Sequence, residues 1–228
     1  MKVVAVMPAF HEAPRIQAAI LGVRQHIPLI VVVDDGSLDG TADRAREVGA
    51  LVLRHPINRG QGAALKTGTQ AALLLGADIV VHVDADGQHD PSGLPGLVAP
   101  LLSGEADVVF GSRYLGVEPQ GMPLSRRMLH RGIRLFNAFA LGIPHRVTDP
   151  QTGLRAFHVR AWPCMDFSQD MMAHASEILR LVTTSSLRWR EVPALVHYST
   201  ETLDRVQGQK AWNAFHIVWE LFLGRFRR

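Results

Sequence analysis

Apolar and polar positions along the chain fall into two alternating textures. Short unbroken apolar runs rich in β-branched residues read as buried strands, and stretches whose apolar residues return every three or four positions read as amphipathic helices. Lys2 to Met7 is strand-like and is expected to end at Pro8. Ile16, Ala19, Ile20 and Val23 then carry helical spacing, Leu29 to Val33 is a second run stopped by Asp34-Asp35-Gly36-Ser37, and Thr41 to Val48 suits a helix. Leu51 to Leu53 is a short strand, Gln61 to Leu75 a long helix, and Ile79 to Val83 the fourth strand. A Pro/Gly-rich helical stretch to Leu102 leads to Val108-Val109-Phe110. This alternation predicts an α/β fold with a mostly parallel, Rossmann-like sheet covered by helices on both faces. Beyond about residue 142 the alternation weakens, and a less regular half is expected there.

Length and composition narrow the picture modestly. With 228 residues, 47% hydrophobic and 20% charged, the chain suits one ordinary domain with a short appendage: residues 1–205, followed by a helix over 206–228. The single cysteine, Cys164, excludes an internal disulfide and has no zinc-like spacing around it. No stretch approaches the roughly 20 apolar residues of a membrane span, and the apolar part of the N-terminus is short for a secretory leader. These features lead us to expect a cytoplasmic protein whose membrane contact, if any, is peripheral. A formal charge of +3 suits a phosphate-bearing substrate or an anionic membrane but does not choose between them, and no nucleic-acid motif is present.

Ligands of parallel α/β sheets bind beyond the carboxyl ends of the strands. Five polar clusters fall at those ends: Pro8 to Glu12, Asp34 to Asp39, Asn58 to Gly62, Asp84 to Asp90, and Gly111-Ser112-Arg113. The most informative is Val83-Asp84-Ala85-Asp86-Gly87-Gln88-His89-Asp90. In extended backbone, side chains two apart share a face, so Asp84 and Asp86 would repel unless a cation sat between them. Hard ions such as Mg²⁺ or Mn²⁺ take oxygen ligands of this kind and share the remaining positions with substrate phosphates. A solvated acidic turn is the other reading of the same residues.

Taken in order, Pro8-Ala9-Phe10-His11-Glu12, Val33-Asp34-Asp35-Gly36-Ser37, Asn58-Arg59-Gly60-Gln61-Gly62, Asp84-Ala85-Asp86-Gly87-Gln88-His89, Gly111-Ser112-Arg113, Thr152-Gly153-Leu154-Arg155 and Glu191-Val192-Pro193 resemble the inverting family-2 glycosyltransferases with the GT-A nucleotide-sugar fold. The form of the acidic motif is similar to the branch that charges dolichyl or polyprenyl phosphates, the mannose-synthase-like enzymes. The resemblance implies an NDP-sugar donor, GDP- or UDP-linked, a polyprenyl-phosphate acceptor, and Mg²⁺ or Mn²⁺ as cofactor. It implies Asp84 near ribose and metal, Asp86 and Gln88 as further metal ligands, and Asp34 or Asp35 holding base and ribose. Pro8, Phe10, Glu12 and Ala85 would line the same pocket. Members often carry Asn where this chain has His11, so His11 receives no role.

Several positions keep two readings. Gly60 and Gly62 would let backbone turn toward a ligand at a helix N-terminus, or Gly60 simply caps the helix. Lys66 would face a phosphate or water. Arg113, at a strand end, suits a forked phosphate contact. Arg127, Arg131 and Arg134 share one helical face beside Arg126, either an acceptor-phosphate site or a solvated basic face. Asp149 and Glu177 are the candidates for a base at a hydroxyl acceptor. With a phosphate acceptor no strong base is needed, and Asp149 would only orient Arg155. Arg205 to Lys210 resembles a phosphate-binding loop of the branch but lacks its Ser, with Gln209 directly before Lys210. Trp212, Phe215, Trp219, Phe222 and Phe226 make an aromatic helical stripe followed by arginines, suited either to a membrane interface or to packing on protein. A Gly-rich basic loop after the first strand, expected of a nucleotidyltransferase, is absent. The remaining alternatives are a hydroxyl acceptor with the same donor and a non-catalytic nucleotide-binding module.

Overall fold

The computed structural model describes residues 1–115, 142–144, 146–171 and 173–196. They form seven strands and five helices in the order β1 (Val3–Ala9), α1 (Ile16–Arg24), β2 (Leu29–Asp34), α2 (Thr41–Glu47), β3 (Leu51–Arg54), α3 (Gln61–Leu74), β4 (Ile79–His82), α4 (Leu94–Leu102), β5 (Val108–Ser112), β6 (Arg155–His158), α5 (His174–Thr184) and β7 (Trp189–Pro193). Short 3-10 turns, Pro91–Gly93 and Val159–Met165, precede α4 and follow β6.

The strands form one sheet in the order β3-β2-β1-β4-β6-β5-β7. All described pairings are parallel except those of β6, which runs antiparallel to both β4 and β5. Strands this apolar need both faces covered. Ala5, Met7 and Ala9 of β1 pack with α1 and α4 on one side, while Val4 and Val6 pack with α3 and α5 on the other. The four residues that set the period of α1, Ile16, Ala19, Ile20 and Val23, are its buried face.

Two boundaries differ from the sequence expectation for clear reasons. β1 runs past Pro8, which pairs with Val33 of β2. Even-numbered positions of β1 direct their backbone groups toward β4, as the bond from Val83 N–H to the Val6 carbonyl shows. The last β1–β4 register pair is Val6 with His82, so the N–H that Pro8 lacks would point beyond the end of β4 and is not missed. β4 itself stops at His82, and Asp86 stands in the turn that follows. The pleat of a strand therefore does not bring Asp84 and Asp86 together; the turn does.

The chain goes from β1 to β2 on one side and returns to place β4 on the other, so the order reverses between β2 and β4 about β1. A crevice beyond the carboxyl ends of β1 and β4 is the expected ligand position. Beneath it, β6 and α5 contribute a buried polar cluster. Arg155 and His82 are wholly buried and His174 nearly so. Burial, then Arg155 and His174, hold His82 well below the ordinary histidine range. Burial and Arg155 hold His174 down at about 4.

A histidine kept neutral by the fold titrates in the unfolded chain first. Between pH 6.5 and about 4 the unfolded state binds the extra proton, so the His174 contribution to stability falls as pH falls through that window and levels below it. Thermal midpoints measured across pH 7.5 to 4 should drop accordingly, and His174→Gln should shallow the drop. An unchanged profile in the variant would remove His174 as a source.

Candidate active site

The loops after β1 and β2 are stitched together by short side chains. Ser37 Oγ accepts from His11 N–H at 2.9 Å, Thr41 Oγ1 from Glu12 N–H at 2.9 Å, and Asp39 Oδ2 from Ala13 N–H at 3.2 Å. His11 adopts φ +56°, a left-handed conformation that asparagine and histidine enter more readily than most residues. Phe10 stays 44% exposed and meets the His11 ring edge-on at 4.3 Å. Glu12 pairs with Arg15 at 3.1 Å.

The adjacent acids at the end of β2 have different duties. Asp35 is buried and accepts from His55 Nδ1 at 2.6 Å, Arg59 N–H at 3.0 Å and Gly60 N–H at 2.7 Å. It ties β2 to the loop before α3. Asp34 accepts from Ser37 N–H through Oδ1, while its Oδ2 lies 3.1 Å from Arg54 Nε without a bond of good geometry. Of the two, Asp34 keeps one oxygen outside the hydrogen-bond network of the described residues, buried beside the Arg54 guanidinium.

Asp84 and Asp86 stand half-buried beyond β4. Asp84 Oδ1 accepts from Gln61 Nε2 at 2.8 Å, and Oδ2 lies 3.3 Å from His89 Nε2. Burial raises the Asp84 carboxyl, but the His89 bond and the charges of His89 and Arg155 outweigh it, leaving it below the usual carboxylate range. Asp86 is raised instead, by burial and then by Asp84, with the bond from Gln88 N–H at 3.0 Å opposing. Two carboxylates, one protected from protonation and one strained by its neighbour, form an oxygen-donor pair of the kind a hard divalent ion takes. Among the described residues, no three His, Cys, Asp or Glu side chains gather into a metal-holding group. A cation here would rely on this pair, with substrate oxygens and water completing its shell. Ala85, between them, packs its methyl into the core.

On the far side of β4, Arg113 follows β5. Its Nε and Nη2 each donate to Asp149 at 2.7 Å, a forked pair on a carboxylate with no exposure. Glu191 of β7 accepts from the N–H groups of Thr148 and Asp149 and fixes that turn. Asp149 thus orients Arg113 rather than Arg155. Arg155 donates to the carbonyls of Gly153 at 3.3 Å and Thr152 at 3.2 Å, and its Nη1 is buried without a bond.

Four expected site residues serve the scaffold. Glu177 accepts from Ser168 N–H, Ser168 Oγ and Gln169 N–H, which occupies it as a loop anchor rather than a base. The loop it holds passes over the start of α3, where the Asp170 carbonyl accepts from Gly62 N–H at 2.7 Å. A Cβ at Gly62 would lie 2.3 Å from the Gln169 carbonyl and one at Gly60 2.4 Å from that of Asp170, so these glycines admit backbone and not a ligand. Lys66 lies 5.0 Å over the Phe167 ring and 4.0 Å from Asp166, because α3 turns it toward the same loop. Gln61, His89 and Gly153 stand against Asp84; each lies in a motif that carries the resemblance, but none had been given a role there. Arg126, Arg127, Arg131, Arg134, Arg205, Lys210 and the helix over 206–228, with the boundary expected at 205, lie outside the described residues.

Among the described residues no helix is long and apolar enough to cross a membrane. Residues 4–160 match the model of glycosyl transferase family 2. The chain is 35% identical over 226 residues to an uncharacterised protein of Methanocaldococcus jannaschii, covering 97% of this chain and 91% of that one. It is 31% identical to the UDP-N-acetylglucosamine–dolichyl-phosphate N-acetylglucosaminyltransferase of Methanococcus voltae, over 96% and 94% of the two chains. It is 32% identical to the undecaprenyl-phosphate mannosyltransferase of Micrococcus luteus, over 73% and 70%. In fold it is similar to glucosyl-3-phosphoglycerate synthase of Mycobacterium tuberculosis, crystallised with Mn²⁺, UDP-glucose and glycerol 3-phosphate, at a TM-score of 0.66 and 22% identity over 90% and 75% of the chains. The fold is therefore GT-A-like, and with the family match over most of its length the chain belongs to glycosyl transferase family 2 and is a glycosyltransferase.

Proposed function

We propose that this glycosyltransferase moves a sugar from an NDP-sugar to a polyprenyl phosphate with inversion at the anomeric carbon. Asp86, Asp84 and Gln88 would hold a divalent cation, which supplies charge neutralisation for the departing diphosphate. Asp34 would border the base or ribose, its Oδ2 reached only where Arg54 moves aside. Pro8, Phe10 and Glu12 would line the same pocket. An acceptor phosphate oxygen attacks the anomeric carbon as the bond to the diphosphate breaks, and the nucleoside diphosphate leaves.

One observation carries the choice of acceptor. Asp149, one of the two candidates for a base at a hydroxyl acceptor, is buried with both oxygens taken by Arg113, and Glu177, the other, is taken by its loop. An acceptor that arrives already ionised needs neither. The polyprenyl-type acceptors named for the Methanococcus voltae and Micrococcus luteus relatives support the same choice. Arg127, Arg131, Arg205 and Lys210 are proposed to meet the acceptor phosphate. The aromatic and arginine-rich residues 212–228 are proposed to rest on the inner membrane surface, keeping a cytoplasmic enzyme beside its lipid substrate.

The direct test combines a panel of UDP- and GDP-sugars with a short polyprenyl phosphate and Mn²⁺, reading product by mass and anomeric configuration by NMR. Transfer to the phosphate with inversion is expected; transfer only to a soluble alcohol would replace the acceptor. Asp86→Ala should abolish transfer with circular dichroism unchanged, and EDTA should do the same until Mn²⁺ is restored. Normal turnover in either case removes the cation from the reading. Asp149→Asn removes the charge that the Arg113 fork grips and should cost about 1–3 kcal/mol of stability, seen as a lower urea midpoint; an unmoved midpoint contradicts the paired geometry. Truncation after Gly208 should release the protein from anionic vesicles in sedimentation, and retention would give residues 209–228 a packing role.

A further inference from the structure

We propose that Gln61 and Gly153 are positioning residues that, with His89, clamp the Asp84 carboxylate in one orientation before any ligand arrives. The inference rests on the cation reading of Asp84 and Asp86 and adds to it residues that touch neither cation nor sugar. Asp84 is the only one of the two acids whose oxygens are both engaged by side chains, Oδ1 by Gln61 at 2.8 Å and Oδ2 by His89 at 3.3 Å. The third point is steric. A Cβ built on Gly153 would lie 2.3 Å from Asp84 Oδ2 and 3.0 Å from both its Cγ and Oδ1, and these are the three nearest atoms. The backbone of Gly153 is thus the wall against which the carboxylate rests. Among the described residues Asp86, by contrast, receives only the N–H of Gln88.

Each point of the clamp is itself anchored. Gly153 is held from behind by Arg155, whose guanidinium donates to the Gly153 and Thr152 carbonyls from a fully buried position. Gln61 opens α3, and the next residue, Gly62, donates to Asp170 in the loop that Glu177 secures from α5. Hydrogen bonds to a metal-holding carboxylate fix its rotamer, and losing such a partner typically weakens metal affinity or activity by about 10–100-fold. With one lone pair of each Asp84 oxygen already used, the carboxylate offers its remaining acceptor directions in a fixed geometry, so the entropy of orienting it is not charged to binding.

Two variants test this without relying on turnover. Gln61→Met keeps length and helix propensity but cannot donate. Gly153→Ala is permitted by a backbone outside the left-handed region and differs only by a methyl aimed at Asp84. Mn²⁺ affinity is measured by EPR of the free ion with UDP or GDP present, beside thermal midpoints and the steady-state constants. Both variants should bind Mn²⁺ about tenfold more weakly and raise donor KM, with Gln61→Met melting as the parent does. Parental Mn²⁺ affinity in both would overturn the clamp. Asp86→Ala runs alongside: if it keeps parental Mn²⁺ affinity, the cation reading fails, whereas its loss of Mn²⁺ with the two clamp variants unaffected leaves that reading intact and removes the clamp alone.

Discussion

Two carboxylates set close together and partly shielded from water repel, and most of what is distinctive in this structure answers that repulsion. Asp84 is compensated from within the protein, by Gln61, by His89 and by the charge of Arg155. Asp86 is compensated less, raised by burial and by Asp84 itself against the opposing Gln88 N–H and His89. A scaffold that needed only a stable turn would gain by replacing either acid. Keeping both, with one fixed and the other wanting a positive charge, stores an electrostatic demand that a cation can meet.

The antiparallel strand β6 is what makes that arrangement reachable. In a wholly parallel sheet, everything that precedes a strand lies at the opposite edge from the site. Because β6 runs against β4 and β5, its first residue pairs with His82 and Phe110 near their carboxyl ends. The segment leading into it, Asp149 to Leu154, is thereby delivered to the ligand edge. That single reversal puts Asp149 on Arg113 and Gly153 on Asp84, contacts between residues 36 and 69 positions apart in sequence.

This also explains what was legible in the sequence. Local periodicity announced the strands and helices through β5, because their apolar residues alternate or recur according to burial by neighbours of predictable kind. The reversal at β6 has no local mark: Arg155-Ala156-Phe157-His158 carries a buried arginine in a central strand, which patterning alone reads as polar. Acid positions were legible, but their allegiances were not. Asp34 and Asp35 are adjacent and alike in sequence, yet Asp35 is consumed by the loop before α3. The glycines at the start of α3 look like a ligand cradle, yet they admit the backbone of Gln169 and Asp170, which approaches from more than a hundred residues away. In each case the residue type identified a capacity, and only the long-range partner decided its use.

The buried arginine raises a last point of energetics. Arg155 has no exposure, keeps one nitrogen without a bond, and is pushed down to about 10 by burial with Asp84 opposing. Burying a guanidinium without a bonded carboxylate is costly, and an apolar residue of similar volume would pack there more cheaply. The neighbouring histidines, His82 and His174, stay neutral around it, so the cluster holds one positive charge rather than three. That charge faces the carboxylate that is already hydrogen-bonded on both oxygens and leaves the other acid alone. The residue that braces the Gly153 wall is thus also one whose charge sets Asp84 apart from Asp86, holding the first carboxyl down while the second is raised.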